Sequence, residues 1–252
     1  MTNTEDISVA PESLRVLLWD IDGTLLRSSR TGEFKNYFGP ALESVFGKAG
    51  RLAEMTVSGM TDMQIVAEAL QHEGVTPQHI RERINEFRTR FMTEMERVTA
   101  AAATAGGEPF FYSLPGAREI LDVVDSHPRY LSALLTGNLE PAALLKLRLV
   151  GLSHYFQLPG AFGDDSHDRR DLPALAAERV NRHLNLNLQP LQFIVIGDTP
   201  NDISCAQHFG ARAVAVATGR GYTVNDLLPH NPDAVLPDLT DAVMVMRALD
   251  EL

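Results

Sequence analysis

The sequence predicts an α/β fold, a doubly wound and mainly parallel sheet, interrupted by one all-helical insert. Three observations carry this. An apolar run, Val16-Leu17-Leu18-Trp19, ends in two aspartates and a turn glycine. From Leu114 onward, apolar segments of strand length alternate with segments of helical periodicity. Between the two, only helical spacing is found. Alternating elements of these lengths imply right-handed βαβ units with helices on both faces of the sheet.

Taken in order, the opening run delivers Asp20 and Asp22 to a turn at Gly23. Residues two apart in an extended chain face the same side, so both aspartates point into one site at the strand's carboxyl end. An ordinary strand-ending turn accounts for Asp and Gly equally well. Ser28 to Gly32 is polar and reads as a linker. Phe34 to Phe46, Thr61 to Leu70 and Ile80 to Val98 each place apolar residues at helical spacing, with Thr56 or Thr61 as a cap and Pro77 near a first turn. Ala100 to Gly107 closes the insert. Pro115-Gly116 then opens a helix through Val124, and Tyr130 to Leu135 is a strand ending in Thr136-Gly137-Asn138. Pro141 to Val150 is helical and stops at Gly151; Gly163 to Asp171 is a polar loop before a helix from Pro173 to Leu184. Phe193 to Ile196 is a strand ending in Gly197-Asp198, followed by a helix from Asp202 to Phe209 and a strand from Ala213 to Ala217. No internal repeat is present.

The 252 residues are 44% apolar with a formal charge of −11. That excess argues against a general nucleic-acid or anionic-membrane surface, while a few local cations and a metal still allow an anionic substrate. The single cysteine, Cys205, rules out an intramolecular disulfide and reads as a buried structural thiol. Met1 to Glu12 lacks a basic start followed by an apolar core, and no apolar run reaches membrane-spanning length. The expectation is a soluble, cytoplasmic protein that engages neither nucleic acid nor membrane.

If the three strands with polar ends are neighbours, Asp20, Thr136 and Asp198 converge on one crevice. Asp198 and Asp202 are four apart, with Pro200-Asn201 turning between them. Oxygen ligands from Asp20, Asp198 and Asp202 suit a hard cation such as Mg²⁺, and no Cys or His cluster points to zinc. Thr136 and Gly137 offer a hydroxyl and a backbone N–H to phosphate oxygens. The loop His167 to Asp171 supplies a cation through Arg169 or Arg170, although, taken without the other motifs, surface ion pairs explain either arginine more readily.

Together, Asp20-Ile21-Asp22-Gly23-Thr24-Leu25, Leu134-Leu135-Thr136-Gly137-Asn138 and Ile196-Gly197-Asp198-Thr199-Pro200-Asn201-Asp202 resemble the haloacid dehalogenase superfamily, in order and in spacing. The resemblance runs from Leu14 to about Val235. It implies a Rossmann-like core of residues 14–29 and 114–252 and an inserted helical cap domain of residues 30–113. Gly59 to Asp62 looks like a cap segment facing substrate; a helix start capped by Thr61 fits it equally. By the same resemblance, Asp20 is the nucleophile and Asp22 the general acid and base. Thr136, Gly137 and Asn138 hold the phosphoryl group. Asp198, Asp202, a carboxylate oxygen of Asp20 and the backbone carbonyl of Asp22 bind or orient Mg²⁺ and its waters.

One departure stands out. Relatives carry a lysine before the helix that precedes the last motif, and here no lysine follows Lys146. Arg169 is the expected replacement, with Arg170 as its rival. An acid at position 22 favours phosphoryl transfer over dehalogenation, since expelling halide needs no proton. A phosphonatase-type cap lysine has only Lys35 as a weak candidate. The expectation is therefore a Mg²⁺-dependent phosphatase that hydrolyses a small phosphorylated metabolite through an aspartyl-phosphate, similar to phosphoglycolate phosphatases. A phosphosugar mutase and a non-catalytic metabolite-binding protein are the alternatives. Hinges are expected at Ser28 to Gly32 and Glu108 to Leu114, and Phe34, Tyr37 and Phe38 read as helix-packing core.

Overall fold

The computed structural model describes residues 10–30, 32–106 and 108–252. Most of the polar start, residues 1–9, lies outside the described residues, as do Thr31 of the expected linker and Gly107. Strand β1 (Arg15–Trp19) is an inner strand of the core sheet. Its alternation sends Val16 and Leu18 to one face and Leu17 and Trp19 to the other, and all four are buried. Val16 and Leu18 join α6 (Leu172–Leu184) and α7 (Pro200–Phe209) through Ala176, Val180, Ile203 and Ala206. Leu17 and Trp19 join α4 (Ala117–Asp125), α5 (Glu140–Leu149) and α9 (Ala242–Asp250) through Ile120, Leu121, Ala142 and Leu249. A strand buried on both faces reads as a continuous apolar run, as β1 does.

Five parallel strands pair in the order β4-β1-β5-β6-β7, where β4 is Tyr130–Leu134, β5 Phe193–Gly197, β6 Arg212–Val216 and β7 Ala234–Leu236. Trp19 lies opposite Leu134 on one side and Ile196 on the other. The three strands with polar ends are therefore immediate neighbours in register. The doubly wound α/β fold class is as expected. β7, the short helix α8 (Val224–Leu227) and α9 were not anticipated: β7 is only three residues, too short for its alternation to register.

The chain leaves and rejoins the core on a two-stranded antiparallel ribbon. β2 (Leu26–Ser28) faces β3 (Phe111–Ser113), with Leu26 opposite Ser113 and Ser28 opposite Phe111. Ser28, read as the start of a linker, thus ends a strand. Between β2 and β3 lie α1 (Lys35–Phe46), α2 (Asp62–Ala69) and α3 (Pro77–Thr104). α3 runs through most of the Ala-rich stretch expected to close the insert, because alanine is the best helix former. Phe38 of α1 packs against Phe87 and Phe91 of α3 at centroid distances of 5.3 and 5.4 Å. Thr61 caps α2 and Thr76 caps α3, each accepting a backbone N–H at 3.1 Å. Among the described residues, no helix is long and apolar enough to cross a membrane.

Candidate active site

The carboxyl ends of β4, β1 and β5 bring the predicted residues to one rim. Asp20, Asp198 and Asp202 are buried, and each places a carboxylate oxygen within 4.8 Å of the others. Arg169 reaches into this cluster: its Nη2 donates to Asp202 Oδ1 at 2.5 Å and stands 3.1 Å from Asp20 Oδ1. Arg170 is exposed and clasps Asp168 at 2.5 Å. Asp168 also accepts the backbone N–H of Arg170 at 2.9 Å, a tight turn that sends Arg170 outward and Arg169 inward. Between the two arginines, the structure places Arg169 in the site.

Burial, with Asp202 and Asp22 nearby, pushes the Asp20 carboxyl up to about 6 against the pull of Arg169. Burial, followed by the charges of Asp20 and Asp202, holds Asp198 well above the carboxylate range. Burial lowers the Arg169 guanidinium, but Asp202 and Asp20 outweigh it and raise the group well above its usual value. One guanidinium for three carboxyls leaves uncompensated negative charge. Asp198 Oδ1 is buried without a hydrogen-bond partner among the described residues. An all-oxygen donor set with an orphaned acceptor fits a hard divalent cation such as Mg²⁺. Asp202 has its oxygens occupied: Oδ1 takes Arg169, while Oδ2 accepts the Thr199 N–H at 2.9 Å and hydroxyl at 2.7 Å, closing the first turn of α7. Asp20 and Asp198 are thus better placed to meet a cation directly. Asp198 is boxed by two glycines: a Cβ on Gly219 would come 1.9 Å from its Oδ2, and one on Gly23 would come 2.4 Å away. Cys205 is buried, as expected, and its thiol is pushed up to about 12 chiefly by burial.

Asp22 turns its carboxylate to a different set of partners. Its Oδ2 accepts Lys146 Nζ at 2.6 Å and Asn138 Nδ2 at 2.7 Å. Lys146 also donates to Asn138 Oδ1 at 2.6 Å, and Asn138 Nδ2 reaches Thr136 Oγ1 at 2.7 Å. Lys146 was missed by the sequence reading, although it stands on the buried face of α5 beside Ala142, Ala143 and Leu147. A lysine among buried helix positions was the available signal. Among the described residues, the backbone N–H groups of Ile21, Asp22 and Gly137 have no backbone acceptor. They are free donors at the carboxyl ends of β1 and β4, where Asp22, Thr136 and Gly137 line one cavity, an arrangement that suits phosphoryl oxygens.

The segment Gly59 to Asp62 lies on the strand ends. The Asp62 N–H donates to Gly137 O at 2.7 Å, and the Leu139 N–H donates to Asp62 Oδ2 at 2.8 Å. Asn201 Nδ2 donates to Gly59 O at 2.9 Å, and the Thr61 hydroxyl to His167 O at 3.0 Å. Thr61 therefore serves both as helix cap and in docking. Burial lifts Asp62 to about 7, in spite of the Leu139 N–H and the charge of Lys146. A cavity of about 170 Å³ remains between insert and core, lined by Asp20, Asp22, Thr136, Gly137, Asn138, Lys146 and Arg169. Phe34 and Tyr37 line it too, whereas Phe38 is core as expected. Lys35 donates its ammonium to Ala53 O and does not line the cavity.

Residues 172–242 match a family described as HAD-hydrolase-like. No curated protein matches the chain. Among solved structures, a hydrolase from Pseudomonas syringae aligns with a TM-score of 0.65 at 21% identity, covering 95% of this chain and 99% of that one. A predicted phosphoglycolate phosphatase from Haemophilus somnus gives 0.64 at 20% identity, with 93% and 98% coverage. A β-phosphoglucomutase from Clostridium difficile gives 0.64 at 16% identity, with 94% and 98% coverage. The fold, insert included, is that of haloacid dehalogenase-like proteins, in agreement with the resemblance carried by the three motifs.

Proposed function

We propose that this chain hydrolyses a small phosphomonoester through a phosphorylated Asp20. The observation that carries the reading is the junction of two carboxylate environments at neighbouring strand ends. Asp20 sits in the buried cluster with Arg169, while Asp22 is held two residues on by Lys146 and Asn138. An Asp20 oxygen attacks phosphorus, the bond from phosphorus to the ester oxygen breaks, and Asp22 delivers a proton to the departing alkoxide. Asp22 then takes a proton from a water whose oxygen attacks phosphorus, releasing inorganic phosphate and freeing Asp20. Thr136 and the unpaired N–H groups at Ile21, Asp22 and Gly137 steady the phosphoryl oxygens. Arg169 fixes the orientation of Asp20 and adds positive charge on the side of the cluster. Mg²⁺, held by Asp20 and Asp198 with Asp202 and the Asp22 carbonyl beside them, would supply the remaining positive charge against the phosphoryl group.

In this reading residues 30–113 act as a cap on a catalytic core of residues 14–29 and 114–252. Attack on the ester requires stray water to be excluded, and the second step requires a water to be admitted, so the cap must open and close. The decisive experiment is hydrolysis of p-nitrophenyl phosphate with Mg²⁺, with EDTA, and by Asp20→Asn. Activity should need both the metal and Asp20; undiminished turnover by Asp20→Asn would overturn the reading. Isomerisation of an added sugar phosphate without release of phosphate would favour a mutase instead.

A further inference from the structure

We infer that the ester taken by this cavity has an uncharged, hydroxyl-bearing leaving group, and that carboxylated esters of the phosphoglycolate type are disfavoured. The inference rests on the phosphomonoesterase reading and deepens it. Its basis is the charge of the two cavity walls. The core wall contributes two cations, and both are engaged. Arg169 is divided between Asp20 and Asp202, and Lys146 between Asp22 and Asn138.

The insert wall is built from Phe34, Tyr37, Val57, Ser58, Met60 and Ile65, with Asp62 its only acidic residue among those described. Among the described residues it presents no lysine, arginine or histidine to the cavity. The insert's two lysines are directed elsewhere, Lys35 to Ala53 O and Lys48 to Glu73. A carboxylate on the leaving group would lose its hydration and face Asp62 and Asp22 with no cation to receive it. Burial of an unpaired charge is strongly unfavourable. An uncharged group avoids that penalty and gains contact with apolar side chains.

Tyr37 supplies the polar handle. Its ring is fixed edge-on by Phe34 and Phe91 at centroid distances of 5.5 and 5.4 Å, and the residue is 2% exposed. Among the described residues its hydroxyl has no hydrogen-bond partner, although it borders the cavity. A phenol at the cavity wall that makes no hydrogen bond to the protein is a donor and acceptor open to a ligand.

The test uses a matched pair, 2-hydroxyethyl phosphate and 2-phosphoglycolate, which differ by a hydroxymethyl in place of a carboxylate. With Mg²⁺ and the full chain, kcat/KM should be at least about tenfold higher for the hydroxyethyl ester. Ser58→Lys, which adds an ammonium to the insert wall, should narrow or reverse that ratio. Tyr37→Phe should narrow the preference for hydroxyethyl over ethyl phosphate. Calorimetry on Asp20→Asn gives the same comparison without turnover, and the hydroxyethyl ester should bind more tightly. Equal or better use of phosphoglycolate, alongside Asp20-dependent hydrolysis of p-nitrophenyl phosphate, overturns the inference and leaves the phosphatase reading standing. Absence of Asp20-dependent phosphate release from every ester, p-nitrophenyl phosphate included, removes that reading and the inference with it.

Discussion

Lys146 is the residue whose removal should be most informative. It binds Asp22 and Asn138 together, so Lys146→Met, which keeps much of the length and loses the charge, should release Asp22 from its position. The expected result is a fall in kcat of about 10–100-fold, smaller than the ~10²–10⁴-fold that general acid–base catalysis contributes as a whole, because Asp22 itself remains. KM should change less, and a thermal melt checks that the fold is retained. A second test concerns the packing against Asp198. Gly219→Ala forces a Cβ into Asp198 Oδ2, so Asp198 or the backbone must shift. Overpacking of this kind costs about 1–3 kcal/mol, and both melting temperature and Mg²⁺-dependent turnover should drop. At this scale the aspartates were legible because a strand period and a turn glycine announce them. Arg169 was legible as one of two adjacent arginines; choosing between them needed the Asp168 turn. Lys146 was hidden because a cation on a helix is by default a solvated one, and only tertiary packing shows that this face is inward.

Among the elements, the start of α2 carries a pH-sensitive contact with the core. Asp62 titrates near 7 in the folded protein, against 3.8 for an unperturbed carboxyl. The folded state therefore holds a proton that the unfolded chain releases. The associated stability is complete below about pH 4, declines as pH rises toward about 7, and is level above. Asp62→Asn keeps an acceptor for the Leu139 N–H and should remove this component of the slope. Denaturant midpoints at pH 5 and pH 8 should differ less in the variant than in the wild type, with the components from Asp20 and Asp198 remaining. The long periodic helices were legible in the sequence, as were the apolar strands β1, β4, β5 and β6. The ribbon β2–β3 and the edge strand β7 were not, since three residues cannot display a convincing alternation. The helix signal of α3 also outlasted its apolar face, because the alanines that continue it carry propensity but no stripe.

Over the whole molecule, the proposed function would make a divalent cation, held at the buried acidic cluster, a structural partner as well as a chemical one. Mg²⁺ should raise the melting temperature, by an amount equivalent to about 2.7 kcal/mol at a hundredfold excess over its dissociation constant. EDTA should reverse the rise, and Asp198→Asn should abolish it without lowering the melting temperature of the metal-free protein. The global architecture was the most legible level of all. Its alternation of strand and helix is written over more than half the chain, whereas the docking of insert on core depends on contacts such as Asp62 with Gly137 that no local pattern announces. The ribbon carries one more consequence. Because Ser28 and Phe111 stand directly opposite each other, everything between them can be excised and the gap joined by a two-residue Asn-Gly hairpin turn. On the proposed function the insert is then a graftable cassette, its ester-selecting residues exchangeable apart from the catalytic residues of the core.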